Sequence, residues 1–208
     1  MAQGASKVHV IGFGKWMSVQ WIPDTDGPPR TLKVRPLLVD TRVKEYIFGP
    51  PHEVTDRLFV VRRAFRVNDS LPEDSVPRWQ WQRGGWMLVD RVTGRISPIN
   101  LPEFDVFYSA ANWYRDYVAY CGVSDEGGKL YAMVAQLSRR KPVLKKLLSN
   151  DQLPDDAGPD SACSAPTWQR SPVRVSFEPT GGTKQVFAVR GHVVDLVNDA
   201  EDEEEASK

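Results

Sequence analysis

The chain has 208 residues with 27 basic and 27 acidic side chains, so its formal charge is zero. Hydrophobic residues make up 41% and the mean hydropathy is −0.42, which favours a folded protein over a disordered one. No apolar run approaches the ~20 residues of a membrane-spanning helix. Two cysteines are too few for a disulfide-dense miniprotein or a four-thiolate zinc site.

The neutral total hides an uneven distribution of charge. Residues 199–208 carry six acids and one lysine, a net charge of −5, with no aromatic or branched apolar side chain. The preceding 198 residues therefore carry a net charge of +5. Because acidic runs of this kind are usually disordered, we predict a single folded domain over residues 1–198 and a disordered acidic tail over 199–208.

Short alternating segments dominate the chain, and helical periodicity is scarce. In chain order, strand-like segments cover residues 7–13, 16–22, 31–40, 57–67, 86–91, 95–100, 116–123, 129–137, 174–177, 184–190 and 193–197. Glycine-bearing turns at 92–94, 124–128 and 178–183 join neighbouring segments as hairpins. Residues 141–148 fit either a helical turn or an outer strand, and 150–166 have the composition of a long loop. The pattern predicts an all-β fold of antiparallel sheets.

The hairpins recur at an interval of ~40–45 residues. Leu88–Ile96 (LVDRVTGRI) resembles the outer hairpin of a β-propeller blade of the broad WD-repeat type found in many bacterial proteins. Asp116–Leu137 is similar to the middle strands of such a blade. The resemblance covers about residues 57–197, with one blade cut from Leu58 to Leu101. It implies a small or incomplete propeller-like arrangement, and a β-sandwich is the alternative.

The two cysteines bear on the compartment. Cys121 and Cys163 are 42 residues apart, and a disulfide closing a loop of that length stabilises a protein by roughly 3–4 kcal/mol. Two unrelated buried thiols are the alternative. The opening residues MAQGASK lack a charged segment followed by an apolar core. We expect an exported or periplasmic protein whose signal has been removed, with a cytoplasmic protein as the alternative.

No catalytic or metal-binding motif stands out. The three histidines do not occur in HExxH or at zinc-finger spacing, and there is no GxSxG elbow. We therefore predict no catalytic residue, no metal and no cofactor, although an enzyme stays open. A hydrolase needs paired carboxylates, such as Asp116 and Asp125. The aspartates near strand ends are Asp40, Asp56, Asp90, Asp105, Asp116 and Asp125. Aspartate at a strand end is also the ordinary turn residue.

The strongest polar cluster consists of five cations within eight residues: Arg139, Arg140, Lys141, Lys145 and Lys146. A second basic group at residues 62–66 accompanies tryptophans at 79, 81 and 86. Cations beside aromatic rings bind single-stranded nucleic acid, but the charge of the body is modest. We predict a non-enzymatic binding or interaction module for a protein or small molecule. A carboxylate-based hydrolase and a weak nucleic-acid binder using residues 139–146 are the alternatives.

Overall fold

A computed structural model describes residues 8–23, 28–124, 128–154, 156–191 and 193–197. Within these ranges the chain forms fifteen strands and no α-helix. The prediction of an all-β fold is confirmed for this part of the chain, and its sheets are antiparallel except for one parallel contact. These ranges contain no helix that is long and apolar enough to cross a bilayer. The predicted acidic tail lies outside the described residues.

The chain divides into two compact units, one ending at Asn100 and one beginning at Leu101. The prediction of a single domain over 1–198 stays a prediction, because two compact units can still unfold together. The first unit contains one seven-stranded sheet. Its strands are β1 (Ile11–Phe13), β2 (Met17–Trp21), β3 (Arg30–Val39), β4 (Arg42–Glu53), β5 (Leu58–Asn68), β6 (Trp79–Asp90) and β7 (Ile96–Pro98).

Five of these strands close a circuit. The pairing runs β3-β2-β6-β5-β4, and β4 also pairs with β3. Successive strands are antiparallel, so that a circuit with an odd number of strands requires one parallel link. That link is the short contact between β2 and β6, where Trp21 is aligned with Trp81. β1 and β7 pair with the ends of β3 and β6.

One side of this sheet carries the apolar core of the first unit. The buried members of the cluster are Leu37, Ile47, Phe59, Val61, Met87 and Val89. Side chains alternate along a strand, so Phe59 and Val61 lie on the same side of β5. Their register partners on β6 are Val89 and Met87, which places the four directly opposite one another. This strand pair forms the centre of the core.

The second unit contains two four-stranded antiparallel sheets, each with its strands in chain order. The first consists of β8 (Ala111–Tyr114), β9 (Tyr117–Val123), β10 (Leu130–Gln136) and β11 (Leu144–Ser149). The second consists of β12 (Cys163–Arg170), β13 (Val173–Pro179), β14 (Gln185–Arg190) and β15 (Val193–Leu196). One apolar cluster includes residues of both sheets, among them Ala119, Phe177 and Phe187. Cys121 of β9 and Cys163 of β12 form the predicted disulfide, with a Cα–Cα distance of 6.0 Å.

The structure corrects several predictions about individual segments. Residues 58–101 do not form a separate four-stranded blade, because β5, β6 and β7 belong to the seven-stranded sheet. Residues 141–148, which fitted either a helical turn or an outer strand, overlap the outer strand β11. The predicted loop over 150–166 ends earlier, since β12 begins at Cys163. The hairpin turn at 92–94 is confirmed, with Gly94 at a φ of 65°.

Candidate binding site

The predicted basic cluster is divided between a turn and a strand. Residues 139–141 lie in the turn after β10, whereas Lys145 and Lys146 lie in β11. Lys145 Nζ donates a hydrogen bond of 2.6 Å to Glu103 Oε1, which raises the pKa of Lys145. Lys146 Nζ lies 5.8 Å from the ring centroid of Phe187. The structure therefore leaves this cluster with a partly neutralised charge, and its role in binding stays a prediction.

The strand-end carboxylates have structural partners. Asp105 Oδ1 accepts hydrogen bonds from two backbone amides, at 2.8 and 2.9 Å, and Asp116 Oδ2 accepts one from a glutamine side chain at 2.8 Å. The Arg57 guanidinium holds the pKa of Asp90 well below its usual range. Asp125 lies outside the described residues. Across the described ranges, no group of three or more His, Cys, Asp or Glu is placed to hold a metal ion.

Positive charge and exposed apolar side chains are concentrated in the first unit. Residues 1–100 contain 15 basic and 10 acidic side chains, a net charge of +5, whereas residues 101–198 contain 11 of each. Twelve large apolar side chains are exposed in the described part of the chain, and only Val106 and Leu147 belong to the second unit. Because exposed apolar side chains beside cations are typical of binding surfaces, the first unit is the better candidate.

Two arginines of the first unit are buried against aromatic rings. The guanidinium carbon of Arg83 lies 4.9 Å from the Trp21 ring and 5.3 Å from the Phe48 ring, and that of Arg62 lies 4.9 Å from Phe48. Arg62 and Phe48 are register partners on β5 and β4. Both arginines are buried, Arg62 at 7% exposure and Arg83 at 8%. Their role is therefore to stabilise the sheet rather than to contact a ligand.

A third arginine lies at the surface. The guanidinium carbon of Arg66 is 5.6 Å from the ring centroids of both Trp79 and Trp81. Arg66 is the register partner of Trp81, and Trp79 is 58% exposed. The group forms an exposed aromatic surface beside an arginine.

A pocket of about 520 Å³ lies beside Trp16, just before β2. Its lining residues are Trp16, Met17, Ser18, Lys33, Gly49 and Pro50. Trp16 is 48% exposed. The guanidinium carbon of Arg35 lies 4.5 Å from the Trp16 ring and 4.1 Å from the Phe13 ring. Since Arg35 does not line the pocket, the pocket meets a part of the indole that Arg35 leaves uncovered.

Close backbone packing positions Trp16. The amide of Gly14 donates a hydrogen bond of 2.9 Å to the carbonyl oxygen of Pro36. A Cβ at Gly14 would lie 2.3 Å from Pro36 Cγ, so that only glycine permits this approach. The adjoining segment then places Trp16 against Arg35 of the same strand as Pro36. The site is thus held by β3 and does not depend on a loose loop.

A larger cavity of about 610 Å³ belongs to the second unit and has a different chemistry. It lies between residues 148–157 and the turn at 179–183, and Asp151 and Asp156 are its charged lining residues. Among the described residues, its lining contains neither a basic nor an aromatic side chain. The two carboxylates disfavour an anionic ligand, and the described lining offers no ring on which a planar ligand stacks.

Comparisons with known proteins do not assign the chain to a class. No family model, no curated protein and no solved structure matches it. The sequence alone did not indicate Trp16 and Lys33 as candidate site residues, because their proximity depends on strand pairing. The available signal was the Lys15-Trp16 pair beside a strand with basic residues on alternate positions, Lys33 and Arg35.

Proposed function

We propose that this protein is a non-enzymatic binding module whose ligand occupies the pocket beside Trp16. The observation that carries the proposal is the partly exposed indole, which is supported by Arg35 and also lines an open pocket. Tryptophan and arginine are enriched among the residues that dominate binding energies. The volume of about 520 Å³ falls within the range of ligand sites.

The test compares the wild-type chain with Trp16→Ala against ligands of several classes: nucleotides, oligosaccharides, acidic peptides and proline-rich peptides. Isothermal titration measures each affinity. Trp79→Ala is the matched control, because it removes another exposed tryptophan of the same unit. We expect one class to bind wild type and Trp79→Ala equally and to bind Trp16→Ala about tenfold or more weakly. Equal binding of every ligand by Trp16→Ala would contradict the proposal.

The carboxylate-based hydrolase is the weaker proposal. Three of its candidate carboxylates already accept hydrogen bonds within the protein: Asp105 from backbone amides, Asp116 from a glutamine and Asp90 from an arginine. A screen for hydrolytic turnover tests it directly. Turnover that Asp116→Asn abolishes while the fold persists would replace the binding module by an enzyme.

We infer that the protein acts in an oxidising compartment and is exported. The support is the disulfide between Cys121 and Cys163, both of which are buried. Disulfides persist in secreted and periplasmic proteins and are rare in the cytosol. Thiol alkylation under denaturing conditions of the protein taken from its own cells, followed by mass measurement, should leave both cysteines unlabelled. Labelling of both would favour the cytoplasmic alternative.

We keep the propeller-like arrangement as a proposal for residues 101–197. Its support is the succession of two four-stranded meanders that share one apolar cluster, since the four-stranded sheet is the blade of a propeller. A sandwich of the two sheets is the alternative. Distances between spin labels placed on the two sheets distinguish them, because blades fan around an axis whereas the sheets of a sandwich cover one another face to face.

A further inference from the structure

We propose that the Trp16 pocket binds a nucleotide, with the base stacked on Trp16 and a phosphate against Lys33. This inference rests on the proposed binding function and specifies its ligand. It draws on three properties of the pocket: the electrostatics of the indole, the polar groups around it and the charge of the unit.

The electrostatics of the indole exclude a cationic ligand. The Arg35 guanidinium already lies 4.5 Å from the ring centroid, and Lys33 lines the same pocket. Aromatic rings that bind ammonium groups offer their negative faces to one cation. A cationic ligand here would meet two positive charges at short range. The pocket therefore favours a neutral planar group, an anion, or a ligand that combines both.

A nucleobase satisfies the stacking part of this description. Stacking of one base on an aromatic side chain strengthens binding by about 5- to 150-fold, and it tolerates any base because each has a π-face. Ser18 and Lys33 are register partners on β2 and β3, so both lie on the same side of the sheet. The Ser18 hydroxyl can donate to or accept from the edge of the base.

Gly49 leaves room for that base. Its φ of 69° is a conformation that favours glycine, and a Cβ there would meet no atom within 4 Å. The pocket wall at this position is thus bare backbone with open space beside it. A side chain at Gly49 would extend into the space that the base is expected to occupy.

The positive charge of the first unit favours binding of the phosphate group of a nucleotide. Lys33 is exposed, and lysine binds phosphate as a point charge. The surrounding unit has a net charge of +5 over residues 1–100, which attracts anionic ligands and raises their association rate. This net charge is modest for the whole body of 198 residues, but it is confined to residues 1–100, where it supports nucleotide binding. A neutral sugar also stacks on tryptophan, but it makes no use of these cations.

Free nucleotides and single strands share this chemistry, and the test separates them. The full chain is titrated with adenosine monophosphate by calorimetry and with a labelled oligothymidylate of about ten nucleotides by fluorescence anisotropy, both at about 50 mM salt. We expect Trp16→Ala to weaken binding about tenfold and the control Trp79→Ala to change it less than about twofold. Lys33→Gln should lower the salt slope of oligonucleotide binding by about 0.7.

A second variant protects the test if Trp16→Ala fails to fold. Lys33→Glu replaces an exposed side chain and places a negative charge in the pocket, so it should weaken binding at least about tenfold without affecting the core. Binding of the mononucleotide, the oligonucleotide or both, with loss in these variants, supports the inference and identifies the source.

Two results would overturn the inference. One is that neither nucleotide binds the wild-type chain; if an oligosaccharide or peptide then binds wild type and not Trp16→Ala, the proposed binding function stands with another ligand. The other is that the nucleotides bind Trp16→Ala, Lys33→Glu and wild type equally, which would locate their site elsewhere. If no ligand of any class distinguishes Trp16→Ala from wild type, the proposed function fails as well.

Discussion

The two units of this protein use aromatic side chains in different ways. In the first unit, arginines lie against the rings, as Arg83 does on Trp21 and Arg35 on Trp16. In the second unit, rings pack on one another inside an apolar cluster, as Phe177 and Phe187 do with centroids 5.8 Å apart. The first arrangement keeps positive charge close to exposed aromatic surface. The second buries the rings among apolar side chains, and the cation near this pair is Lys146, 5.8 Å from the Phe187 centroid.

This difference agrees with the binding role proposed for the first unit. The second unit adds a covalent link between its sheets through Cys121 and Cys163. We therefore expect the second unit to be the more stable one while the disulfide is intact.

The largest expected effect reverses that order of stability. Replacing both Cys121 and Cys163 by alanine removes a link that closes 42 residues, and the free energy of unfolding of the second unit should fall by about 4 kcal/mol. Hydrogen exchange reports each unit separately, and protection should drop within residues 101–197. An equal drop within residues 8–100 would show that the two units unfold as one and that the contrast between them is wrong.

Removing a buried arginine should destabilise the first unit. Arg83→Ala deletes a side chain that is 8% exposed and packs on Trp21 and Phe48, and the free energy of unfolding should fall by about 2–3 kcal/mol. Arg66→Ala is the matched control, because Arg66 contacts two rings at the surface, and it should cost less than about 1 kcal/mol. If urea unfolding showed the same loss of unfolding free energy in Arg83→Ala and Arg66→Ala, burial of the arginine would not matter for stability.

Acid and alkali should destabilise different units. Hydrogen bonds from Arg57 and Arg91 lower the pKa values of Asp90 and Glu53. The stability that these two carboxylates contribute is therefore present at neutral pH and is lost as the pH falls below about 4. Burial raises the pKa of Tyr120 in the second unit, so its contribution is complete below about pH 10 and is lost above it.

Hydrogen exchange across the pH range measures both effects. Protection should decrease first in the first unit on acidification and first in the second unit on alkalinisation. Tyr120→Phe is the control for alkali: it removes a hydroxyl that donates a hydrogen bond of 2.6 Å to a backbone carbonyl, and the alkaline loss should diminish. The reverse assignment of the two units would refute the explanation.

The smallest expected effect concerns the basic cluster of the second unit. Lys146→Gln and Arg139→Gln should each change ligand affinity less than about twofold, because the surrounding unit has no excess charge. Lys33→Gln is the comparison in the first unit. If Lys146→Gln lost more ligand affinity than Lys33→Gln in the same titration, the binding site would lie at residues 139–146, as the sequence predicted.

Local patterns account for much of the second unit. The hairpins around 124–128 and 178–183 follow from alternation and glycine placement, and β9–β10 and β13–β14 pair accordingly. The cysteine pair was also foreseeable, because it was the only pairing two cysteines allow. In both cases the signal lies within a short stretch of chain or in a count of residues.

The first unit was harder to predict, for identifiable reasons. Strand β4 was not predicted because Gly49, Pro50 and Pro51 interrupt its alternating pattern. Strand β6 was predicted to begin at residue 86, seven residues after its actual start at Trp79, because Gly84 and Gly85 interrupt the pattern of that strand. The Trp16 pocket depends on the pairing of β2, β3 and β4, which is a non-local property. The arginine–aromatic contacts have the same origin.

The most direct test of the account is a map of ligand-induced changes in amide chemical shifts of the full chain. On addition of the oligothymidylate or adenosine monophosphate, we expect the changes to cluster at residues 13–18, 33–35 and 48–50, around the Trp16 pocket. Residues 139–146 should stay unchanged. Changes centred on residues 139–146, with none at Trp16, would contradict the assignment of binding to the first unit.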